Sequence, residues 1–162
     1  EAVAATGLAA VRGEFPPALP KGERAKVVIA SVLAMKPRIL ILDEPTTGQD
    51  YKGCHQILGI ARRLHRAGHT VVVVTHDMSL IAEYAARTVV LHAGRILLDG
   101  PTAEVLSQPE VLYRSHVTPP QITQLSQSLP GRLGLPYTAL TVSELGRHIL
   151  DRRDDRREGD RR

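Results

Sequence analysis

Aromatic residues are scarce in this sequence: no Trp, one Phe and four Tyr make up 3% of 162 residues. A core must therefore be built from Leu, Ile, Val and Ala. The stacking platforms that grip single-stranded nucleic acid are also missing, so nucleic acid is not an expected partner. Cysteine is scarcer still. Cys54 stands alone, which excludes an intrachain disulfide and suits a reducing compartment. No apolar run approaches the ~20 residues that cross a bilayer. Glu1 to Ala10 lacks the basic segment of a signal peptide. No Met opens the chain, which reads as a piece of a longer polypeptide.

A concentrated basic surface is lacking too. The net charge is +4, yet the arginines of the last dozen residues, 151–162, are interleaved with acids. Six Arg against five Asp and Glu leave one net positive charge there. That is a mixed-charge tail with the composition of a disordered end rather than a polyanion-binding patch.

What is present is one domain's worth of chain, 43% hydrophobic, in a recognisable order of elements. Ala2 to Val11 suggests the end of a helix interrupted at Gly7, and the three prolines between Gly13 and Pro20 predict a loop. From Lys21, apolar residues at Ala25, Val28, Ile29, Val32 and Leu33 have helical spacing, ended by Pro37. Ile39-Leu40-Ile41-Leu42 is apolar at every position, the pattern of a parallel strand buried on both faces. A second helix carries Cys54, Ile57, Leu58, Ala61 and Leu64 on one face and ends at Gly68. The run Thr70 to Thr75 completes a βαβ unit with a right-handed crossover.

Beyond it, a short helix is predicted over Ser79 to Ala86. Thr88 to Leu91 and Ile96 to Asp99 form a hairpin joined through His92-Ala93-Gly94-Arg95. Thr102 is positioned to cap a helix ending at Leu106. Thr118-Pro119 marks another helix start, with Ile122, Leu125 and Leu129 on one face. Thr141 and Glu144 have capping-box spacing ahead of a last helix to about Leu150.

The chemistry concentrates at strand ends. Asp43 and Glu44 follow a buried parallel strand, at the carboxyl edge where α/β proteins bind ligands. Two adjacent acids there are costly unless a cation offsets them. Mg²⁺ suits the place, because it keeps most of its waters and sits against phosphates. Asp43 would hold the metal's water shell, and Glu44 would polarise the water attacking a γ-phosphate. Taken alone, the pair also reads as solvent-facing acids capping the next helix. One strand later, His76 ends the neighbouring strand at the same edge, where it could contact the γ-phosphate. Leu19-Pro20-Lys21-Gly22-Glu23-Arg24 opens a helix, and a glycine at a helix start lets backbone N–H groups approach an anion. Without its flanking motifs, that segment is merely a Pro-Gly helix entry.

These elements, in this order, resemble the second half of an ABC ATPase. Leu19 to Glu23 sits where the family's signature motif sits, Ile39 to Glu44 matches the Walker-B strand and catalytic glutamate, and Gly48-Gln49-Asp50 matches the D-loop. His76 matches the switch histidine, and Val89 to Gly100 matches the segment closing the catalytic core. The resemblance covers roughly residues 1 to 105. It implies a P-loop NTPase-like (RecA-like) parallel-sheet core, here partial, with a C-terminal helical appendage. Residues 1–20 would close a helical subdomain and lead to the signature, 21–100 would be the second half of the core, 101–150 an extension, and 151–162 the charged tail. It also implies ATP and Mg²⁺ as ligands. Glu44 and His76 would be catalytic, Asp43 would hold the metal through water, and Lys21, Gly22, Glu23 and Asp50 would contact nucleotide.

Lys21-Gly22, Thr46-Thr47-Gly48-Gln49-Asp50 and Pro119-Pro120-Gln121-Ile122 resemble energy-coupling-factor ATPases, importers of metal ions or vitamins. That implies a second ABC ATPase subunit as partner, in a homo- or heterodimer. It also implies a membrane coupling protein and a substrate-binding membrane subunit, at the cytoplasmic face of the cell membrane. Two departures stand out. The sequence contains no P-loop, whose backbone cradle and lysine grip the β- and γ-phosphates, so the chain alone is expected to be inactive. Pro20 replaces the signature serine, removing both a hydroxyl and an N–H. A degenerate, non-catalytic subunit paired with an active ATPase is therefore the alternative. An ABC ATPase without a membrane partner fits less well, since such proteins tend to carry further domains.

Overall fold

The computed structural model describes residues 1–129 and 138–159, the last eight of these by backbone alone. By contacts the chain divides into two compact units, Glu1–Thr75 and His76–Arg162.

The first unit is built on a parallel pair of strands, β1 (Ile39–Asp43) and β2 (Thr70–Val74), with Ile39 opposite Thr70 and Asp43 opposite Val74. Two helices follow the predicted order: α2 (Lys21–Leu33) precedes β1, and α3 (Tyr51–Arg66) connects β1 to β2. A single turn, α1 (Ala2–Ala5), lies ahead of them, and the proline-rich loop contains a short 3₁₀ turn, Pro16–Ala18. α3 is well terminated. The Asp50 carboxylate accepts from the Gly53 N–H at 2.7 Å at its start. Arg63, His65 and Arg66 sit in its last turn, where the helix dipole favours positive charge. Gly68, at φ +97°, turns the chain toward β2.

The core of this unit gathers Ile29 and Leu33 of α2, Leu40 and Leu42 of β1, and Ile57, Ile60, Ala61 and Leu64 of α3. Its stripe on α2 differs from the predicted one. Val28 is exposed, and the position one turn from Ala30 that goes inside is Lys26, ion-paired with Glu23 at 3.2 Å. β1 also departs from expectation. It is buried on one face only: Leu40 and Leu42 point inward, while Ile39 and Ile41 keep 60% and 66% of their surface exposed. The reason is geometric. Alternate side chains face opposite sides of a strand, and α2 and α3 both contribute to the cluster around Leu40 and Leu42. Val72 and Val74 of β2 are likewise exposed.

The second unit begins with α4 (Met78–Tyr84), one residue earlier than predicted because Asp77 caps it, accepting from the N–H groups of Ser79 and Leu80. The hairpin is present as β3 (Arg87–His92) and β4 (Arg95–Pro101), with an irregularity between Val90 and Leu91. Its two-residue turn has Ala93 at φ +48° and Gly94 at φ +73°. Positive φ at both positions is the turn whose twist matches a hairpin. Among the described residues, α5 (Thr102–Leu106), α6 (Pro109–Arg114) and α7 (Gln121–Ser128) follow. A last helix, α8, spans Val142–Gly159.

Several local expectations change here. Thr102 is not the cap of α5 but its first residue, and its buried hydroxyl donates to the Ala85 carbonyl at 2.7 Å while lying 2.8 Å from that of Thr88. It ties the helix to the hairpin's base. α6 has no counterpart among the expected helices, although Pro109 at its first position is a favourable start. α7 begins at Gln121 rather than at Thr118, and Leu125, expected on its inner face, is exposed. Thr123 and Ser126 are buried instead. Thr123 donates to the Ala139 carbonyl, and Ser126 Oγ accepts the Ala139 N–H, both at 3.0 Å. Two hydroxyls can go inside because one backbone residue satisfies both. The Thr141/Glu144 box forms, with Glu144 N–H donating to Thr141 Oγ1 at 3.2 Å. The Glu144 carboxylate accepts from Leu140 N–H rather than from the cap itself. α8 runs on past Leu150 through the part of the charged tail expected to be disordered. No glycine or proline between Gly146 and Gly159 stops it.

Arg87 and Asp99 face each other across the hairpin in a two-pronged contact, Nε to Oδ1 at 2.8 Å and Nη2 to Oδ2 at 2.7 Å. The hydrogen bonds from Arg87 hold the Asp99 carboxyl below the usual carboxylate range. A depressed folded-state pKa contributes stability above the unfolded value, lost as pH falls through the folded one. Arg87→Ala is therefore expected to move the Asp99 titration, followed by carboxyl-carbon NMR, up toward the ordinary range. In the first unit, Ile57 is fully buried, and Ile57→Ala should cost about 2–5 kcal/mol in a denaturant melt.

Candidate functional site

The parallel register fixes the carboxylates. Asp43 closes β1 opposite Val74, and the ladder continues one residue further, where Glu44 N–H donates to the Val74 carbonyl at 2.8 Å. Asp43 is exposed and Glu44 half-buried. Glu44 adopts φ +45°, although the proline after it ordinarily drives a residue to extended backbone. A left-handed conformation at a residue other than glycine costs about 1–3 kcal/mol and tends to occur where function needs it. The turn that follows stabilises the arrangement. Thr47 N–H donates to the Glu44 carbonyl at 3.2 Å, and Thr47 Oγ1 donates to Glu44 Oε2 at 3.1 Å. Among the described residues no group of three or more His, Cys, Asp and Glu is arranged to hold a metal. Two adjacent carboxylates at a strand edge would instead suit a cation that keeps its waters, as Mg²⁺ does beside phosphates.

The start of α2 lies against the loop after Glu44. Pro20 stands at its N-cap and supplies no side-chain bond to the helix. The Lys21 ammonium fills the space that a Cβ on Gly48 would need, and Gly48 has φ +69°. The Gln49 side-chain oxygen packs between two glycines, 3.5 Å from the Cβ position of Gly22 and 3.0 Å from that of Gly53. Lys21, Gly22 and the loop 48–50 are thus brought together. Asp50 caps α3, and Glu23 is engaged by Lys26 of its own helix, so two predicted nucleotide contacts have structural partners within the unit. Gln49 lies within the Gly48-Gln49-Asp50 segment without being an expected contact residue. The glycines at positions 22 and 53, on two different helices, were the available signal.

His76 follows β2 by two residues and opens the second unit. Within that unit it lines an open groove of about 490 Å³ together with Asp77, Ser79, His116, Thr118 and Pro119. His116, which adopts φ +59°, had no sequence signal beyond its place before the Pro-Pro pair.

Comparison with known proteins places these features. Residues 2–47 match the family model described as ABC transporter. An ABC transporter ATP-binding protein of Methanosarcina acetivorans is 48% identical over 139 residues, covering 85% of this chain and 22% of that protein. The energy-coupling factor transporter ATP-binding protein EcfA2 of Ligilactobacillus salivarius is 40% identical over 132 residues, covering 80% of this chain and 46% of that protein. Among solved structures, cbiO1 from Clostridium perfringens, part of the ABC transporter complex cbiONQ, has a TM-score of 0.64 at 29% identity. That match covers 82% of this chain and 48% of cbiO1. The chain thus spans less than half the length of these relatives. The expected P-loop NTPase fold is that of the ABC cassettes it resembles. Family match, relatives and fold converge on one assignment: these residues belong to an ABC transporter ATPase domain.

Proposed function

We propose that the chain forms part of the ATP-hydrolysing subunit of an energy-coupling-factor importer, energising uptake of a metal ion or a vitamin. The observation that carries the reading is the strand edge, where an in-register parallel pair presents Asp43 and Glu44 and Thr47 holds the Glu44 carboxylate. Relatives named for energy-coupling-factor and cbiONQ transporters support the subfamily. Residues 21–100 are assigned to the ATPase core and 101–150 to an extension that helps two ATPase subunits associate. The further partners would be a membrane coupling protein and a substrate-binding membrane subunit at the cytoplasmic face. Among the described residues no helix is long and apolar enough to cross a membrane.

In this reading Asp43, exposed at the edge, holds the water shell of Mg²⁺. When bound, the metal supplies positive charge against the phosphate oxygens. Glu44 accepts a hydrogen bond from the attacking water and polarises it, and the Thr47 hydroxyl keeps that carboxylate from rotating away. His76 offers its imidazole to the γ-phosphate. Gly22 and the first N–H groups of α2 face the nucleotide of the second subunit.

The degenerate-subunit alternative is favoured by Pro20, which leaves the start of α2 without a side-chain cap. One experiment separates the two. The isolated chain should show no measurable ATP turnover. Joined to the P-loop-bearing first half of an ABC cassette, so that P-loop and Glu44 flank one nucleotide, it should restore turnover, and Glu44→Gln should lower that rate by about 10²–10⁴-fold. A rate unchanged by Glu44→Gln contradicts the assignment of the base and supports the degenerate reading.

A further inference from the structure

The loop Thr46–Asp50 joins the turn that holds Glu44 to the helix α3. Its inner side is fixed by backbone bonds, Thr47 N–H to the Glu44 carbonyl at 3.2 Å and Gln49 N–H to the Thr46 carbonyl at 3.1 Å. Its far end is anchored by Asp50 capping α3. Its middle, Gly48, is exposed and left-handed, a conformation glycine takes freely but other residues do not. An unsupported glycine in such a place opens easily.

It is not unsupported. The Lys21 side chain crosses from the first position of α2 and lays its ammonium and Cε on the bare face of Gly48. No other residue type at position 48 leaves room for it, since a Cβ there would occupy the ammonium's place. On the neighbouring residue, the Gln49 side-chain oxygen is confined between Gly22 of α2 and Gly53 of α3. Helix start and loop are therefore packed through three glycines, at positions 22, 48 and 53, and two long side chains. The loop in turn carries Thr47, whose hydroxyl meets the Glu44 carboxylate.

We propose that Lys21 is a positioning residue, holding the Thr46–Asp50 loop of its own chain and, through Thr47, the Glu44 carboxylate, instead of serving as a nucleotide ligand. The functional weight of this device rests on Glu44 being the catalytic base. The positioning itself does not.

Amide hydrogen exchange of the full chain tests it. Lys21 is exposed, so its replacement leaves the core untouched. Lys21→Met should speed exchange at Thr47 and Gln49 by about tenfold or more through local opening, with the overall melt unchanged. Lys21→Arg, which keeps a long cationic stem, should retain most of the protection. Exchange at these two amides unchanged in Lys21→Met, or Lys21→Arg as unprotected as Lys21→Met, overturns the proposal. A parallel Mg–ATP titration of the chain joined to a P-loop-bearing first half of an ABC cassette, where binding is measurable, gives the other arm. Equal affinity of wild type and Lys21→Met agrees with positioning. A tenfold loss with loop exchange unaltered makes Lys21 a nucleotide ligand and overturns it. Neither readout depends on turnover, so a failed Glu44 assignment, read from Glu44→Gln in the assembled enzyme, is distinguishable from a failed Lys21 assignment.

Discussion

Placing two carboxylates side by side at the end of an apolar strand is electrostatically unfavourable, and much of the first unit serves to keep them there. β1 cannot slip against β2 without turning Leu40 and Leu42 away from α2 and α3, because a shift of one residue reverses every side chain of a strand. The register that buries those two leucines is therefore the register that sets Asp43 opposite Val74 and lets Glu44 bond one step beyond it. Core packing and site geometry are one constraint.

The strain at Glu44 belongs to the same logic. A left-handed residue ahead of a proline is held by bonds on both sides, its N–H to β2 and its carbonyl and carboxylate to Thr47. Such over-determination lets a costly conformation persist. The loop that does the holding is itself backed by the start of α2. The helix start at 19–24 and the strand end and loop at 39–50 become one contiguous structure.

Much of this was legible in the residues. The βαβ order, the hairpin turn and the Thr141/Glu144 box follow from local rules, and the strand-end acids follow from apolar patterning. What local rules missed was decided by tertiary partners. Thr123 and Ser126 go inside because Ala139, sixteen and thirteen residues away, accepts and donates to them. Val28 stays outside while Lys26 is buried, because Glu23 one turn away pairs with it. An uninterrupted apolar run at 39–42 predicts burial on both faces. Leu40 and Leu42 meet α2 and α3, and Ile39 and Ile41 remain exposed. Lys21 could be placed near an anion from its helix position, but its approach to Gly48 is set by tertiary packing of α2 against the loop.

The central proposal is that the strand edge carrying Asp43 and Glu44 binds a cation, with Asp43 holding its water shell. The most direct measurement is paramagnetic broadening of backbone amides by Mn²⁺, a spectroscopic stand-in for Mg²⁺, titrated into the chain. The account predicts selective broadening centred on Asp43 and Glu44, abolished when both are changed to their amides. Broadening confined to other acids, such as Glu83, Glu110 or the charged residues after Leu150, would contradict it.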